Sequence, residues 1–298
     1  MSTIFASSSD GAAPPKIALR IDRHAFPLRD APGEEFVAMS GVAIDVPAGE
    51  FLTIVGPSGC GKTTLLEILA GLATPTAGSL RIDGREVTGP SLSRGIVFQQ
   101  YALLPWRTAQ ANVEFTLEAA GGLSRHERRD KARAALELVG LKGFEDRFPH
   151  ELSGGMKQRV AIARSLVYEP DILLMDEPFG ALDAQTRELL QQELLALWQR
   201  SRTTVVFITH SIDEAVYLGQ RVAVMTSRPG RIKAMVDVDL PRADLDADIR
   251  SHPDFARYRH EVWELMRGEV ARPRASTSPT FWSDPTPPRQ RSQAASSN

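Results

Sequence analysis

Apolar and polar residues along the chain follow two rhythms. At 16–21 and again at 42–46 they alternate, which predicts two half-buried strands, the second entering the Pro47-Ala48-Gly49 turn. Mainly apolar runs at 51–55, 95–98, 172–175 and 204–208 predict buried strands, as in an open α/β sheet, and 221–225 makes one more strand. Elsewhere the period lengthens to that of a helix. Leu65, Leu66, Ile68 and Leu69 share one face, and Val160, Ile162, Ala163 and Leu166 another; Leu189, Leu190, Leu194, Leu197 and Trp198 form a third inner face. Phe255, Tyr258, Val262, Leu265 and Met266 predict a last helix packed on the domain, which Gly268 stops.

Three stretches break these rhythms. Residues 27–35 form a polar insert with Pro and Gly, bracketed by Phe26 and Phe36, and 71–89 is turn-rich around Pro75, Gly78 and Gly84. From about 101 to 165 the chain becomes a helical insert. It starts with the proline-broken apolar stretch Tyr101-Ala102-Leu103-Leu104-Pro105-Trp106, whose Trp106 is either the lid of that insert's core or an exposed anchor for a partner. Residues 1–15 and 271–298 have the composition of disordered tails, with Phe281-Trp282 a weak docking signal in the second.

Composition narrows the class. The 298 residues are 42% hydrophobic, enough for a proper core, and 35 basic against 37 acidic side chains give no overall field for nucleic acid or an anionic membrane. No apolar run reaches the length of a membrane span, and the N-terminus lacks a basic and apolar leader, so neither insertion nor export is expected. The single cysteine, Cys60, excludes an intramolecular disulfide and reads as a small side chain tolerated in a tight loop.

That loop carries the chemistry. Gly56-Pro57-Ser58-Gly59-Cys60-Gly61-Lys62-Thr63-Thr64 joins a buried strand to a helix start. Its glycines let successive N–H groups curl inward, and the helix dipole adds positive potential, so a polyphosphate fits. Lys62 would meet the β and γ phosphates, and the Thr63 hydroxyl would take one position on Mg²⁺. Asp176 and Glu177 end the 172–175 run: the first can hold Mg²⁺, the second can accept a proton from water attacking the γ phosphate. Gln99 and His210 also sit at the carboxyl ends of strands, where an open α/β sheet binds ligand. Gln99 is a candidate to touch Mg²⁺ or the attacking water, and His210 to donate to a γ-phosphate oxygen. Leu152-Ser153-Gly154-Gly155-Met156-Lys157-Gln158-Arg159 makes a second anion-binding helix start. One nucleotide could not easily use both starts if they lie at opposite ends of a subunit, which raises a composite site between two copies. One of Phe26 and Phe36 could stack on an adenine.

In order and spacing, the phosphate loop, Gln99, 152–158, 172–177, Asp183 and His210 resemble the ATP-binding subunits of ABC transporters, over roughly 16–233. The resemblance implies a P-loop NTPase core sheet with an N-terminal antiparallel β subdomain and an inserted α-helical subdomain at about 101–165. The whole ATPase domain would span 16–240, followed by a helical extension at 241–270. It implies ATP and Mg²⁺ as ligands. The phosphate loop becomes Walker A, Gln99 the Q-loop, and Ser153, Gly154, Gly155 and Gln158 part of the signature. Asp176 and Glu177 become the Walker B acid and catalytic base, Asp183 the D-loop and His210 the switch histidine. It also implies a head-to-tail homodimer closing on ATP, permease subunits contacted beside the Q-loop through 101–106, and indirectly a substrate-binding protein, at the cytoplasmic face of the membrane. Leu104-Pro105-Trp106-Arg107-Thr108 and Ser227-Arg228-Pro229-Gly230-Arg231 resemble importers of nitrate, sulfonates and taurine. The insert at 27–35 is a departure; it favours Phe26 for the adenine but leaves Phe36 open. Gly180 replaces a serine common before the D-loop. A soluble ABC ATPase acting on nucleic acid or ribosomes is the alternative, although the long coiled-coil insert or second ATPase domain usual there is missing; a P-loop kinase would not explain Ser153 to Gln158.

Overall fold

Strands that are apolar on both faces need cover on both, and the chain supplies it with a second sheet on one side and helices on the other. A computed structural model describes residues 14–28, 31, 33–180, 182–242 and 248–270; the tail expectations for 1–13 and 271–298, with Phe281 and Trp282, lie outside the described residues. In chain order the strands are β1 (Ile17–Pro27), β2 (Glu35–Val46), β3 (Phe51–Val55), β4 (Ala77–Ile82), β5 (Arg85–Glu86), β6 (Arg94–Val97), β7 (Ile172–Asp176), β8 (Thr204–Thr209), β9 (Arg221–Met225) and β10 (Ile232–Asp237). The helices are α1 (Lys62–Ala70), α2 (Ala109–Ala120), α3 (Arg125–Leu138), α4 (Gly154–Leu166), α5 (Ala184–Ser201), α6 (Ile212–Leu218) and α7 (Pro253–Val270).

The core sheet has the order β10-β9-β3-β8-β7-β6. It is parallel except for β10, which pairs antiparallel with β9. Every residue of β3, β7 and β8 is buried, as the mainly apolar runs require. Side chains alternate between two cores. Leu52, Ile54, Leu174 and Val206 pack with α1 and with Ile17, Leu19 and Ile21 of β1, from the second, antiparallel sheet β2-β1-β4-β5. Phe51, Met175 and Phe207 face the helices; Phe51 meets Trp198 of α5 edge-on at 5.7 Å, and Phe179 packs on Phe207 at 5.6 Å.

Several sequence expectations are corrected. Strands β1 and β2 run much further than 16–21 and 42–46, so the 27–35 insert is the tip of one long hairpin in which Phe26 and Phe36 stand directly opposite each other. The turn-rich stretch 71–89 contains β4 and β5, and neither β10 nor the short α6 was anticipated. Strand β6 stops at Val97, leaving Phe98 outside it and exposed. Leu189 points outward from α5, and α7 continues through Gly268.

The helical insert exists as α2, α3 and α4 packed together. Buried Asn112 organises its entrance. It donates to the carbonyls of Leu104, Arg107 and Thr108 at 2.9–3.1 Å and accepts from the Leu104 N–H at 2.8 Å, so the Pro105-Trp106 loop is pinned from beneath. Trp106, held on top of that loop, is 72% exposed. Tyr101 and Ala102 both adopt left-handed φ, 41° and 48°, and Arg164 of α4 holds their carbonyls at 2.9 and 2.6 Å.

Candidate nucleotide-binding site

The carboxyl ends of β3, β7 and β8 converge on α1. Gly61, at φ 99°, precedes the helix in a conformation that side chains avoid, and a Cβ there would lie 3.0 Å from Met39. Lys62 is buried to 7% exposure with its ammonium inside the loop, donating to the carbonyls of Gly56 at 2.9 Å and Pro57 at 3.2 Å. Cys60 is fully buried, and burial pushes its thiol pKa up, which keeps it from acting as a nucleophile.

Asp176 closes β7 beside this loop. Its Oδ2 accepts from Thr63 Oγ1 at 2.9 Å, and burial raises its pKa, with the neighbouring Glu177 adding to the rise and the Thr63 bond and Lys62 opposing it. Glu177 itself has φ 43°, a sparsely populated region for a residue with a side chain. Its N–H donates to Ile208 O at 2.9 Å and its carbonyl accepts from Gly180 at 3.1 Å. The side chain is thereby aimed between Lys62, at 4.0 Å, and His210 Nδ1, at 3.1 Å. Gln99 is exposed two residues beyond β6.

Behind His210 lies a polar cluster that the sequence did not reveal. Buried Glu214 accepts from Thr209 Oγ1 and from Gln191 Nε2 at 3.2 Å and sits 3.7 Å from Arg187, while Arg187 also holds Leu182 O at 2.8 Å. Burial raises the pKa of Glu214. The end of β8 before His210 and the start of α5 are therefore tied to one carboxylate. Asp183 caps α5, accepting from Thr186 N at 3.0 Å, and these backbone and side-chain bonds lower its pKa.

The second helix start packs against Leu182 and the first turn of α5, beside the Arg187–Glu214 cluster. Ser153 caps α4 by accepting from Met156 N at 3.3 Å and is exposed. Gly154 lies against Tyr101 and Leu182. A Cβ on Gly155 would come within 2.5 Å of Thr186, so glycine is needed for the approach of α5. Gln158 departs from the expectation of a nucleotide contact: it is 0% exposed, with neither amide atom hydrogen-bonded among the described residues, because it lies on the inward face of α4 four residues before Ile162. Of the two aromatics, Phe26 meets His24 edge-on at 4.9 Å, while the guanidinium of Arg228 covers Phe36 at 5.0 Å.

Among the described residues no group of three or more His, Cys, Asp or Glu is placed to hold a metal. The oxygens of Thr63 and Asp176 alone stand together, which suits Mg²⁺ only if phosphate oxygens and water complete its octahedron. The cleft of about 990 Å³ lined by Glu50, Trp198 and Arg221 lies at the opposite, amino-terminal ends of β3 and β9, away from these groups. The phosphate loop, the acid pair and His210 thus gather at the carboxyl ends of β3, β7 and β8.

A phosphate loop on a mostly parallel sheet, with an acid pair and a histidine at neighbouring strand ends, defines the class as a P-loop ATPase. The ABC transporter family model matches residues 39–180. A nitrate import ATP-binding protein, NrtD of Synechocystis, is 48% identical over 237 residues, covering 78% of this chain and 89% of its own length. A taurine import ATP-binding protein, TauB of Roseobacter denitrificans, is 45% identical over 239 residues, covering 78% and 88%. The ATP-binding cassette MJ0796, solved as a dimer in a post-hydrolysis state bound to ADP and Pi, superposes with a TM-score of 0.67 at 34% identity, over 75% of this chain and 99% of its own. The chain belongs to the ATP-binding subunits of ABC transporters and is an ATPase.

Proposed function

We propose that this chain powers an importer of a small anion, of the nitrate, sulfonate or taurine kind, as a head-to-tail homodimer in which ATP is held between two copies. The observation that carries the reading is the division of the chemistry. Lys62, Thr63, Asp176, Glu177 and His210 form one cluster, whereas Gly154 and Gly155 pack against Tyr101, Leu182 and Thr186, which supports a second copy bringing its own helix start to each site. In that dimer the 56–64 loop amides and Lys62 hold the β and γ phosphates, and Thr63 and Asp176, with Gln99, hold Mg²⁺. Glu177 takes the proton of the attacking water, His210 orients the γ phosphate, and Ser153, Gly154 and Asp183 face the partner's nucleotide. Phe26 stacks on the adenine, supported by Arg228 already covering Phe36.

Importer relatives of this type support permease subunits as partners, met through the pinned Trp106 loop, and indirectly a substrate-binding protein. No helix among the described residues is long and apolar enough to cross a membrane, which suits a peripheral place on the cytoplasmic face of the inner membrane. The test is Glu177→Gln. Without a proton acceptor, turnover should fall by at least about 10²-fold, the lower range for a lost general base, while Mg-ATP drives the chain into a stable dimer. A variant that binds ATP and stays monomeric contradicts the shared site.

A further inference from the structure

The turn at 226–231, between β9 and β10, has no part in the chemistry above, yet three elements grip it. Arg228 donates from Nε to the carbonyl of Gly59 at 2.6 Å, with its guanidinium on the Phe36 ring. A Cβ on Gly59, at φ 76°, would lie 2.7 Å from Arg228 Nη2, so loop and arginine are fitted to each other. Gly230 backs onto the Cys60 carbonyl too closely for any side chain, while its own N–H and carbonyl bond Ala38 and Ser40 of β2 at 2.8 and 3.1 Å. From the far side comes Glu269, at the end of α7 and 4% exposed. It accepts from the N–H and Oγ of Ser227 at 3.0 and 3.1 Å and pairs with Lys233 at 3.1 Å.

We infer that Arg228 is a positioning residue for the phosphate loop and that the C-terminal helix holds it in place through Glu269 and Ser227. The Gly59 carbonyl and the Cys60 N–H share one peptide plane and point in opposite directions. The Cys60 N–H closes the loop's own turn on the Pro57 carbonyl at 3.3 Å, and by holding the Gly59 carbonyl Arg228 fixes the peptide plane and with it the bend on which the inward curl of the loop depends. Phe36 restrains the guanidinium from one side. Glu269, tied to the backbone of the preceding residue, restrains the turn that carries it. The C-terminal extension is thereby part of the nucleotide-binding apparatus without touching nucleotide. This rests on the reading that the 56–64 loop takes the phosphates.

The experiment measures ADP affinity by calorimetry on the full chain, with melting temperature recorded in parallel. Arg228→Ala and Arg228→Lys should each raise Kd about tenfold, equal to about 1.4 kcal/mol, because lysine keeps the charge but loses the Nε bond and the planar stack. Glu269→Ala should raise Kd about threefold, and adding it to Arg228→Ala should give no further loss, since both act through one path. Melting temperatures that stay level while Kd moves separate positioning from general destabilisation. Wild-type affinity in Arg228→Lys, or additive losses in the double variant, overturns the inference. Lys62→Ala is the control: undiminished ADP binding there would refute the nucleotide site itself, whereas lost binding in Lys62→Ala with no change in Arg228→Ala refutes only the role of the arginine.

Discussion

Replacing Gly154 with alanine separates a helix start that serves only the fold from one that must meet a second chain's nucleotide. Gly154 is the first residue of α4, and its φ is not left-handed. A Cβ there would sit 3.4 Å from the Tyr101 hydroxyl and 3.9 Å from Leu182, both ordinary contacts. Alanine exceeds glycine by up to about 1 kcal/mol inside a helix, with less to gain in the first turn, so about 0.5 kcal/mol is expected. At about 2–4 °C per kcal/mol for a chain of this size, Tm should rise by about 1–2 °C. Gly155 is the contrast. Its Cβ, 2.5 Å from Thr186, would force α4 and α5 apart at about 1–3 kcal/mol, enough to cancel the helix gain. Gly154→Ala therefore leaves the monomer intact and adds one methyl group to the half-buried face of the helix tip beside Tyr101 and Leu182. If that face closes on the partner's γ phosphate, a methyl group on it blocks the approach, and hydrolysis should fall at least about tenfold, equal to about 1.4 kcal/mol of barrier. Steady-state phosphate release and ATP-dependent dimerisation in a Glu177→Gln background are the assays. A variant with raised Tm, wild-type turnover and normal dimerisation would refute the assignment of this helix tip to the nucleotide.

Asp176 and Trp106 give the remaining predictions. Burial raises the Asp176 pKa above its ordinary 3.8, so its contribution to stability is fully present below the unfolded value and is lost as pH rises through the folded one. Without nucleotide, Asp176→Asn should therefore melt higher than the parent at neutral pH, with the gap narrowing toward acid, and should lose Mg²⁺-dependent hydrolysis. Thermal melts that show no gap at neutral pH would contradict the burial argument. Trp106→Ala removes an exposed ring from a loop held by Asn112, so hydrolysis by the isolated chain should stay within about twofold, as for most surface changes, while uptake in the assembled transporter is lost. Unchanged uptake would remove Trp106 from the permease contact.

The core strands could be read from the chain because both faces of β3, β7 and β8 are buried, so that inside them Thr53 alone breaks the apolar run and the other polar residues, Asp176, Thr204 and Thr209, stand at strand ends. The second sheet is different. In β4 only Leu80 is buried, and Gly78 is there because the Arg20 backbone approaches too closely for a side chain, so a strand paired with β1 on one side and only the two-residue β5 on the other carried the composition of a turn. Gly268 is the reverse case. A glycine costs a helix about 1 kcal/mol, but Met266 on one side and the buried Glu269 on the other anchor α7 past it, and tertiary contact outweighs propensity.

Within the site, glycines, acids and the histidine were legible as motifs, whereas the residues that support them were not. Asn112 had one signal, a polar side chain on the apolar face shared by Ala109 and Val113, and Gln158 had the same signal four residues before Ile162. The ties of Glu214 to Gln191 and of Arg228 to Gly59 had none, because they join residues 23 and 169 positions apart. That difference is physical: a phosphate loop works through consecutive backbone amides, so its code is local, while a charge that orients another group acts through space. The pairing of Phe26 with Phe36 is the clearest instance. The resemblance favoured Phe26 for the adenine and left Phe36 open, and standing opposite each other on one hairpin does not separate them; Arg228, arriving from a turn nearly two hundred residues later, covers Phe36.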